Sequence, residues 1–448
     1  MLPIPCELLS CSWPRPVAEA NGRWSSEPDW NAPASPFRPQ PLWKMVDGEP
    51  AWTIDWCNLF RGGMASLVGS EMRRFHVVFR IRAAETGRLV FWDDDGCIIR
   101  LGGRVIHEDR SAHGLRRAEV EVRAGDVLEV AQWQFHGDWI WCARSPGSVA
   151  GDAEAVLAPH RDAVRERVRT GGGPPLKLYT DGRNPLRAVV AVYSLVLNGY
   201  APSSILLYGS HQWSAAAAQA FRAALPFAEV VETARVLGAA RALGGHGLAE
   251  MARRYWFVMK ACVGLLDGPE EFGLVDDDLF VLDPVDDALE AFRRHDLVFI
   301  PDCDHAREYH RTWGAVFRQG APSPAGRFNA GLYWCRLADD RRRLAARMAQ
   351  VRADRCLPWL WEQGFIAAAY AQRPLHELPT QRYFYPLFDG LPGGALGYDW
   401  AGNPCGFASL HFGGLPDKPD DTAMRYIGPQ LLARRAARPA DARLALAG

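Results

Sequence analysis

Three consecutive carboxylates, Asp276-Asp277-Asp278, stand among apolar neighbours: Phe272, Leu274 and Val275 before them, Leu279, Phe280, Val281 and Leu282 after. Charge in such surroundings is costly unless a cation or backbone donors compensate it. Side chains alternate along an extended segment, so Asp276 and Asp278 share one side and Asp277 takes the other. Two carboxylates converging from one strand end suit a hard divalent ion that also holds phosphate oxygens. A bare acidic cluster is more often a turn. The other triplet, Asp93-Asp94-Asp95, fits that description, because Gly96 follows at once. Context separates the two, since only the later triplet ends a strand in a strand-helix alternation. A metal held by two side chains needs a further ligand, and the segment LHFGGLPDKP offers His411, with Lys418 seven residues beyond. Gly413 and Gly414 let backbone approach a phosphate closely, and Lys418 can neutralise a diphosphate as a point charge. Taken alone, His411 reads more simply as a structural histidine.

Such a site needs elements that aim it. From residue 175 the chain alternates: LKLYTDG reads as a strand, LRAVVAVYSLVLNG as a helix, SSILLYGS as a strand, SAAAAQAFRAAL as a helix and AEVVETARVL as a strand. A long helical stretch around LAEMARRYWFVMKACVGLL leads to the strand EFGLVDDDLFVL. The alternation predicts a mostly parallel sheet covered by helices, a Rossmann-like α/β domain over residues 175–428. Ligands of such sheets sit beyond the carboxyl ends of the strands, where the acidic triplet falls. Residues 39–148 are different in texture, with short alternating runs separated by Gly or Asp-Gly turns, and predict a smaller all-β sandwich. Between them, residues 149–174 read as a helical linker closing on Gly171-Gly172-Gly173-Pro174-Pro175, the clearest boundary in the chain. Residues 1–38 read as an irregular arm, and 429–448 as an Arg/Ala-rich tail.

In their order along residues 175–428 the motifs resemble glycosyltransferase family eight, the retaining GT-A enzymes typified by glycogenin and bacterial galactosyltransferases. Asp276-x-Asp278 takes the place of the family's metal-binding D-x-D. His411-Phe412-Gly413-Gly414 through Lys418-Pro419 is similar to its H-F-x-G-x-x-K-P close, with one extra residue and without the usual following Trp. Phe328-Asn329-Ala330-Gly331-Leu332 matches the F-N-[AS]-G-[VL] element, and Trp361-Glu362-Gln363-Gly364 resembles D-Q-[DG] with Glu362 replacing the Asp. Lys260 stands sixteen positions before Asp276 (276 − 260), the spacing of a donor-binding lysine, and Thr180-Asp181-x-x-Asn184 resembles the uridine-holding start.

The resemblance implies Mn2+ or Mg2+ on Asp276, Asp278 and His411, and Glu362 and Gln363 as the catalytic pair. It also implies a UDP-sugar donor held by Thr180, Asp181, Asn184, Lys260, Asp277, Asn329, Ala330, Gly331, Gly413, Gly414 and Lys418. The transferred hexose would pass with retention to a glycan, protein or small-molecule acceptor. Each motif also has a plain structural reading. Asn329 would cap a turn, Gly331 would permit a bend, Glu362 and Gln363 would begin an amphipathic helix, and Lys260 would carry its amine to water. The stretch from Phe75 to Cys142 loosely resembles the protective-antigen-type sugar-binding sandwich, with its DDG turn and GGRVI strand.

The remaining chain narrows the classes. Lys+Arg 51 against Asp+Glu 52 gives a net charge of -1, so neither nucleic acid nor an anionic membrane is an expected partner. No apolar run reaches about 18 residues, so no transmembrane segment is expected. The start MLPIPCELLSCSWPRP lacks a basic leader region. None of the ten cysteines forms a C-x-x-C pair, which reads as reduced thiols in a cytoplasmic protein. Two rival functions stand beside retaining transfer. One is an inverting GT-A enzyme with Glu362 as general base; the other is an inactive glycan-binding protein. A phosphohydrolase built on the Asp triplet would need a nucleophile or a second metal cluster that the sequence does not offer.

Overall fold

The structure is a computed structural model that describes residues 5–17, 19–21, 23–35, 41–46, 49–55, 75–93, 95–111, 114–134, 139–144, 153–182, 184–210, 213–350, 361–384, 391, 397–413 and 421–433. The chain forms two compact units, Met1–Gly151 with Asp389–Tyr398 and Asp152–Phe388 with Asp399–Gly448.

The elements named in the first unit, among the described residues, are β-strands. Its strands are β1 (Cys6–Cys11), β2 (Arg15–Pro16), β3 (Glu19–Ala20), β4 (Arg23–Trp24), β5 (Pro41–Val46), β6 (Glu49–Asp55), β7 (Phe75–Ala83), β8 (Gly87–Asp93), β9 (Cys97–Leu101), β10 (Arg104–Glu108), β11 (Arg116–Val122), β12 (Val127–Gln134) and β13 (Trp139–Arg144). One sheet runs β1-β7-β12-β9-β10, with β2 beside β7, and the other runs β11-β8-β13-β6-β5. Inward residues of both sheets, among them Phe79, Ile81, Leu128 and Ile99 of the first and Leu89, Phe91, Val120 and Val122 of the second, share one core. That arrangement is a sandwich. The run RRAEVEV of β11 shows why: Ala118, Val120 and Val122 are buried while the glutamates between them are exposed. The first 38 residues are not irregular throughout. β1 lies antiparallel to β7, with Cys6 opposite Ala83 and Cys11 opposite Phe79, and so covers backbone groups that an open sheet edge would leave unpaired.

The second unit is α/β. It opens with α1 (Ala153–Thr170), β14 (Leu176–Thr180), α2 (Pro185–Leu197), β15 (Ile205–Gly209), α3 (Ala215–Ala224), β16 (Glu229–Val231), α4 (Thr233–Arg254) and α5 (Trp256–Leu265). It continues through β17 (Glu271–Asp276), β18 (Leu279–Val281), α6 (Asp286–Arg294), β19 (Leu297–Pro301), α7 (Ala306–Phe317), β20 (Phe328–Arg336), α8 (Arg341–Gln350) and α9 (Trp361–Ala369). β21 (Leu375–Glu377), β22 (Tyr383–Phe384), β23 (Ser409–His411) and α10 (Asp421–Ala433) follow among the described residues. The main sheet has the order β16-β15-β14-β17-β20-β19-β21. Its strands are parallel except β20, which runs antiparallel to both β17 and β19.

Three local expectations change. AEVVETARVL is a strand only to Val231, and Thr233 begins a helix, as its Ala, Leu and Arg content favours. That helix breaks at Gly245, whose φ of +82° suits glycine alone. EFGLVDDDLFVL is not one strand: β17 stops at Asp276, and β18 leaves for a separate sheet of order β18-β23-β22. The helix read as a linker belongs to the α/β unit, for Arg167 donates to the carbonyls of Val196 and Leu197, both at 2.9 Å, and so caps the end of α2. No described helix is long and apolar enough to cross a membrane.

Alternation sorts the main sheet's faces. Tyr179, Leu206, Phe272 and Leu274 join side chains of α4, α5 and α9 in one core. Within it Lys177 is 0% exposed and donates to the carbonyls of Val263 (2.8 Å), Gly264 (2.9 Å) and Asp267 (2.7 Å), over the C-terminal end of α5. The same ammonium lies 3.8 Å from the Phe272 ring centroid. The amine there satisfies carbonyls at the end of the helix.

Candidate active site

The break after β17 builds the site. Asp276 closes the strand, Asp277 and Asp278 form the bend, and β18 then pairs antiparallel with β23 so that Leu279 faces His411. Phe412 N–H donates to the Asp278 carbonyl at 2.9 Å, which extends that pairing to the acidic bend. The ladder therefore carries a histidine 133 positions away (411 − 278) onto the triplet. His411 Nε2 lies 3.3 Å from Asp278 Oδ1 and 3.9 Å from Asp276 Oδ2. One ligand atom from each of Asp276, Asp278 and His411 lies within 4.8 Å of the others.

Two glycines make room for the imidazole. A Cβ on Gly331 would fall 2.3 Å from the ring, and one on Gly413 2.6 Å from it. Gly413, expected to let backbone approach a phosphate, leaves room for the His411 ring. Gly331→Ala should therefore push the imidazole away from the carboxylates, weakening divalent-ion binding at least about tenfold with little loss of secondary structure. Calorimetric titration with Mn2+, set beside circular dichroism, checks this.

Asp277 turns away, within a bend and not along the strand that was expected. Its Oδ2 accepts from Thr180 Oγ1 at 2.7 Å and from Arg187 Nη2 at 3.0 Å. Burial raises its pKa to about 6, against the lowering effect of Arg187. Lys260 is 3% exposed, so it does not reach for water. Its Nζ donates to Asp276 Oδ2 at 2.8 Å and to the Ala330 carbonyl at 3.0 Å, and lies 3.8 Å from Glu362 Oε2. Burial favours the neutral amine, but Asp276 and Glu362 outweigh it and raise the pKa above that of an ordinary lysine. Burial likewise raises the carboxyls of Asp276, against Lys260, and of Glu362, to about 8.

The residues present fit a divalent ion. Asp276 Oδ1 and Glu362 Oε1 are buried with no hydrogen-bond partner among the described residues. Such atoms are costly unless something else meets them. Two carboxylates and an imidazole around a common point form a ready donor set for a hard or borderline cation.

The other expected residues arrive by different routes. Asn329 Oδ1 accepts the Gly331 N–H at 2.7 Å while its Nδ2 donates to Asp302 Oδ2 at 2.9 Å, so the amide is locked beside the glycine that admits His411. Gln363, at the start of α9, has its Oε1 2.7 Å from the Tyr309 hydroxyl. Asn184 accepts from Arg187 N at 2.9 Å and caps α2. Asp181 lies 4.0 Å from Arg187 Nη2 with an exposed side chain. Gly414 and Lys418 lie outside the described residues. Sequence reasoning passed over Arg187, Asp302 and Tyr309. Arg187 was detectable as a lone charge in the apolar run PLRAVVAVYSLVL, and Asp302 as a polar residue ending the strand LVFIP.

No protein-family model matches the chain, and no curated protein matches its sequence. Among solved structures, apo mouse xyloside xylosyltransferase 1 is 15% identical with a TM-score of 0.34, over 48% of this chain and 88% of that one. The apo structure of the bifunctional glycosyltransferase WbbM is 11% identical with a TM-score of 0.36, over 60% of this chain and 50% of that one. The galactosyltransferase LgtC, with donor and acceptor sugar analogues, is 14% identical with a TM-score of 0.29, over 60% of this chain and 99% of that one. Likenesses this slight establish neither fold nor activity, which rest on the residues.

Proposed function

We propose that this chain is a metal-dependent glycosyltransferase of GT-A type that moves a hexose, with retention, from a UDP-sugar to a glycan, protein or small-molecule acceptor. The observation that carries the reading is the convergence of Asp276, Asp278 and His411 beyond the carboxyl end of a strand in a mostly parallel sheet. A divalent ion bound there, Mn2+ or Mg2+, supplies positive charge to the oxygens of a departing diphosphate.

The chain's own residues prepare that event. Thr180 and Arg187 hold Asp277 away, and so fix the bend that aims its two neighbours. Lys260 grips Asp276 and the Ala330 carbonyl together, joining the β17 end to β20. Asn329 and Gln363 are each held by a partner, Asp302 and Tyr309 respectively, so neither loses side-chain freedom when a sugar ring is bound. In this reading Lys418 adds charge at the diphosphate.

The test is a thermal-shift screen of nucleotide sugars with and without Mn2+, followed by NMR of the anomeric configuration of the product. UDP-hexoses should raise the unfolding temperature only when Mn2+ is present, and an α-linked donor should yield an α-linked product. A screen in which no nucleotide sugar shifts the transition would remove the reading, and an inverted product would replace retention by the Glu362-base alternative.

Glu362 gives a pH signature. Its folded pKa, raised to about 8, lies above the ordinary 4.5, so the native state binds more protons than the unfolded chain between those values. Stability from this group is fully present below about pH 4.5 and is lost as pH rises toward 8. The loss should be on the order of 3 kcal/mol for the metal-free protein, and Glu362→Gln should flatten much of the slope. Urea unfolding at pH 5 and pH 8 for both proteins measures it.

A further inference from the structure

The β-sandwich gathers a second set of metal-ligating side chains, unrelated to the acidic bend of the α/β unit. Asp93 is the last residue of β8, in the β11-β8-β13-β6-β5 sheet; Cys97 opens β9 and His107 lies in β10, both in the facing sheet. Asp93 and Cys97 are each 1% exposed. One ligand atom from each of the three residues lies within 4.8 Å of the others.

The register explains the convergence. His107 stands opposite Ile99 in the β9–β10 ladder, and Ile99 and Cys97 both contribute to the core between the sheets. Asp93 Oδ1 accepts the Gly96 N–H at 2.8 Å, and its other oxygen, Oδ2, lies 3.5 Å from Cys97 Sγ. His107 Nε2 is buried with no hydrogen-bond partner among the described residues. Gly96 sets the turn: its φ is +94°, and a Cβ there would lie 2.8 Å from the carbonyls of Asp109 and Ser111.

We propose that Asp93, Cys97 and His107 form a Zn2+ site that clips the two sheets of the sandwich together. A sulfur and an imidazole beside one carboxylate select a borderline ion such as Zn2+ over Ca2+ or Mg2+, which prefer oxygen. The nearby Asp109 is already engaged, its Oδ2 2.7 Å from Arg116 Nε and its Oδ1 accepting from the Ser111 hydroxyl, so water completes the fourth position. The half-buried His107 is the entry side. Binding places Zn2+ on the thiolate, and the Cys97 thiol proton passes to solvent. Nothing in this proposal depends on sugar transfer.

The experiment uses the full chain carrying Asp278→Ala together with His305→Ala, so that the other two groups of potential ligands, Asp276-Asp278-His411 and Asp302-Cys303-His305, are disabled. The protein is equilibrated with Zn2+, dialysed, and assayed for metal by mass spectrometry. The expected result is one retained Zn2+ per chain, lost on adding either Cys97→Ser or His107→Ala. Loading with Co2+ instead should give the charge-transfer absorption that only a thiolate ligand produces, absent in the Cys97→Ser protein. His107 is half-exposed, so its alanine variant keeps the test open should Cys97→Ser fail to fold. No retained zinc in the protein carrying Asp278→Ala and His305→Ala, or retention unchanged by the further substitution, would overturn the site.

Discussion

Asp278→Ala is expected to lower Mn2+-dependent cleavage of a sugar nucleotide by about 10³-fold or more, with the fold intact. Asp278 is 2% exposed and its Oδ1 is 3.3 Å from His411 Nε2, so the side chain serves the site rather than solvent. What the backbone needs at this position is the carbonyl that accepts the Phe412 N–H, and alanine keeps it. Asp277 offers no rescue, because Thr180 and Arg187 hold its carboxylate on the opposite side. His411→Ala should lose a similar factor. The double variant should lose little more, since both side chains act on one bound ion and effects of such units do not add. Steady-state rates, Mn2+ affinity by calorimetry and far-ultraviolet circular dichroism are the measurements. Unchanged turnover in both single variants would end the metal-site reading.

Lys177→Met should destabilise the α/β unit by roughly 3–5 kcal/mol. The methionine fills the space, but the buried carbonyls of Val263, Gly264 and Asp267 lose the amine that donates to them. The effect should reach the active site, because α5 carries Lys260. Burial lowers the Lys177 pKa to about 7, against the ordinary 10.5. The unfolded chain therefore binds more protons than the native state between those values, and wild-type stability should rise with pH across them. Urea unfolding at pH 7 and pH 9 tests both points: the variant should unfold earlier at each pH and lack this contribution to the slope.

Much of the α/β unit was legible because its strands are short apolar runs punctuated by polar ends. The acidic triplet and FNAG lie at such ends. That Asp276 and Asp278 would lie together with Asp277 turned away was expected from strand alternation, whereas in the structure Asp277 and Asp278 lie in a bend beyond the strand. Boundaries were less legible: β16 lasts only three residues, and the helix-favouring run from Thr233 reads as its continuation when the whole of AEVVETARVL is taken as one strand. Partnerships across long separations were hidden as well. That Asn184 would be spent on capping α2, or that Gly413 would shelter an imidazole, depends on which strand lies beside which. β1 was missed for the same reason, since its place is fixed by the edge of β7 and not by its own pattern. The Asp93, Cys97 and His107 group lacks any zinc-finger spacing, and only the pairing of β9 with β10 assembles it.

The position at which β17 ends gives the acidic bend a parity. Inserting or deleting a single residue upstream, within the strand, would turn the residue that closes β17 to the opposite face of the sheet and take a carboxylate out of the ion's surroundings. A two-residue change would keep each carboxylate on its own side while moving the bend along the sheet. Descendants of this chain that retain its chemistry should therefore tolerate length changes in β17 only in even steps.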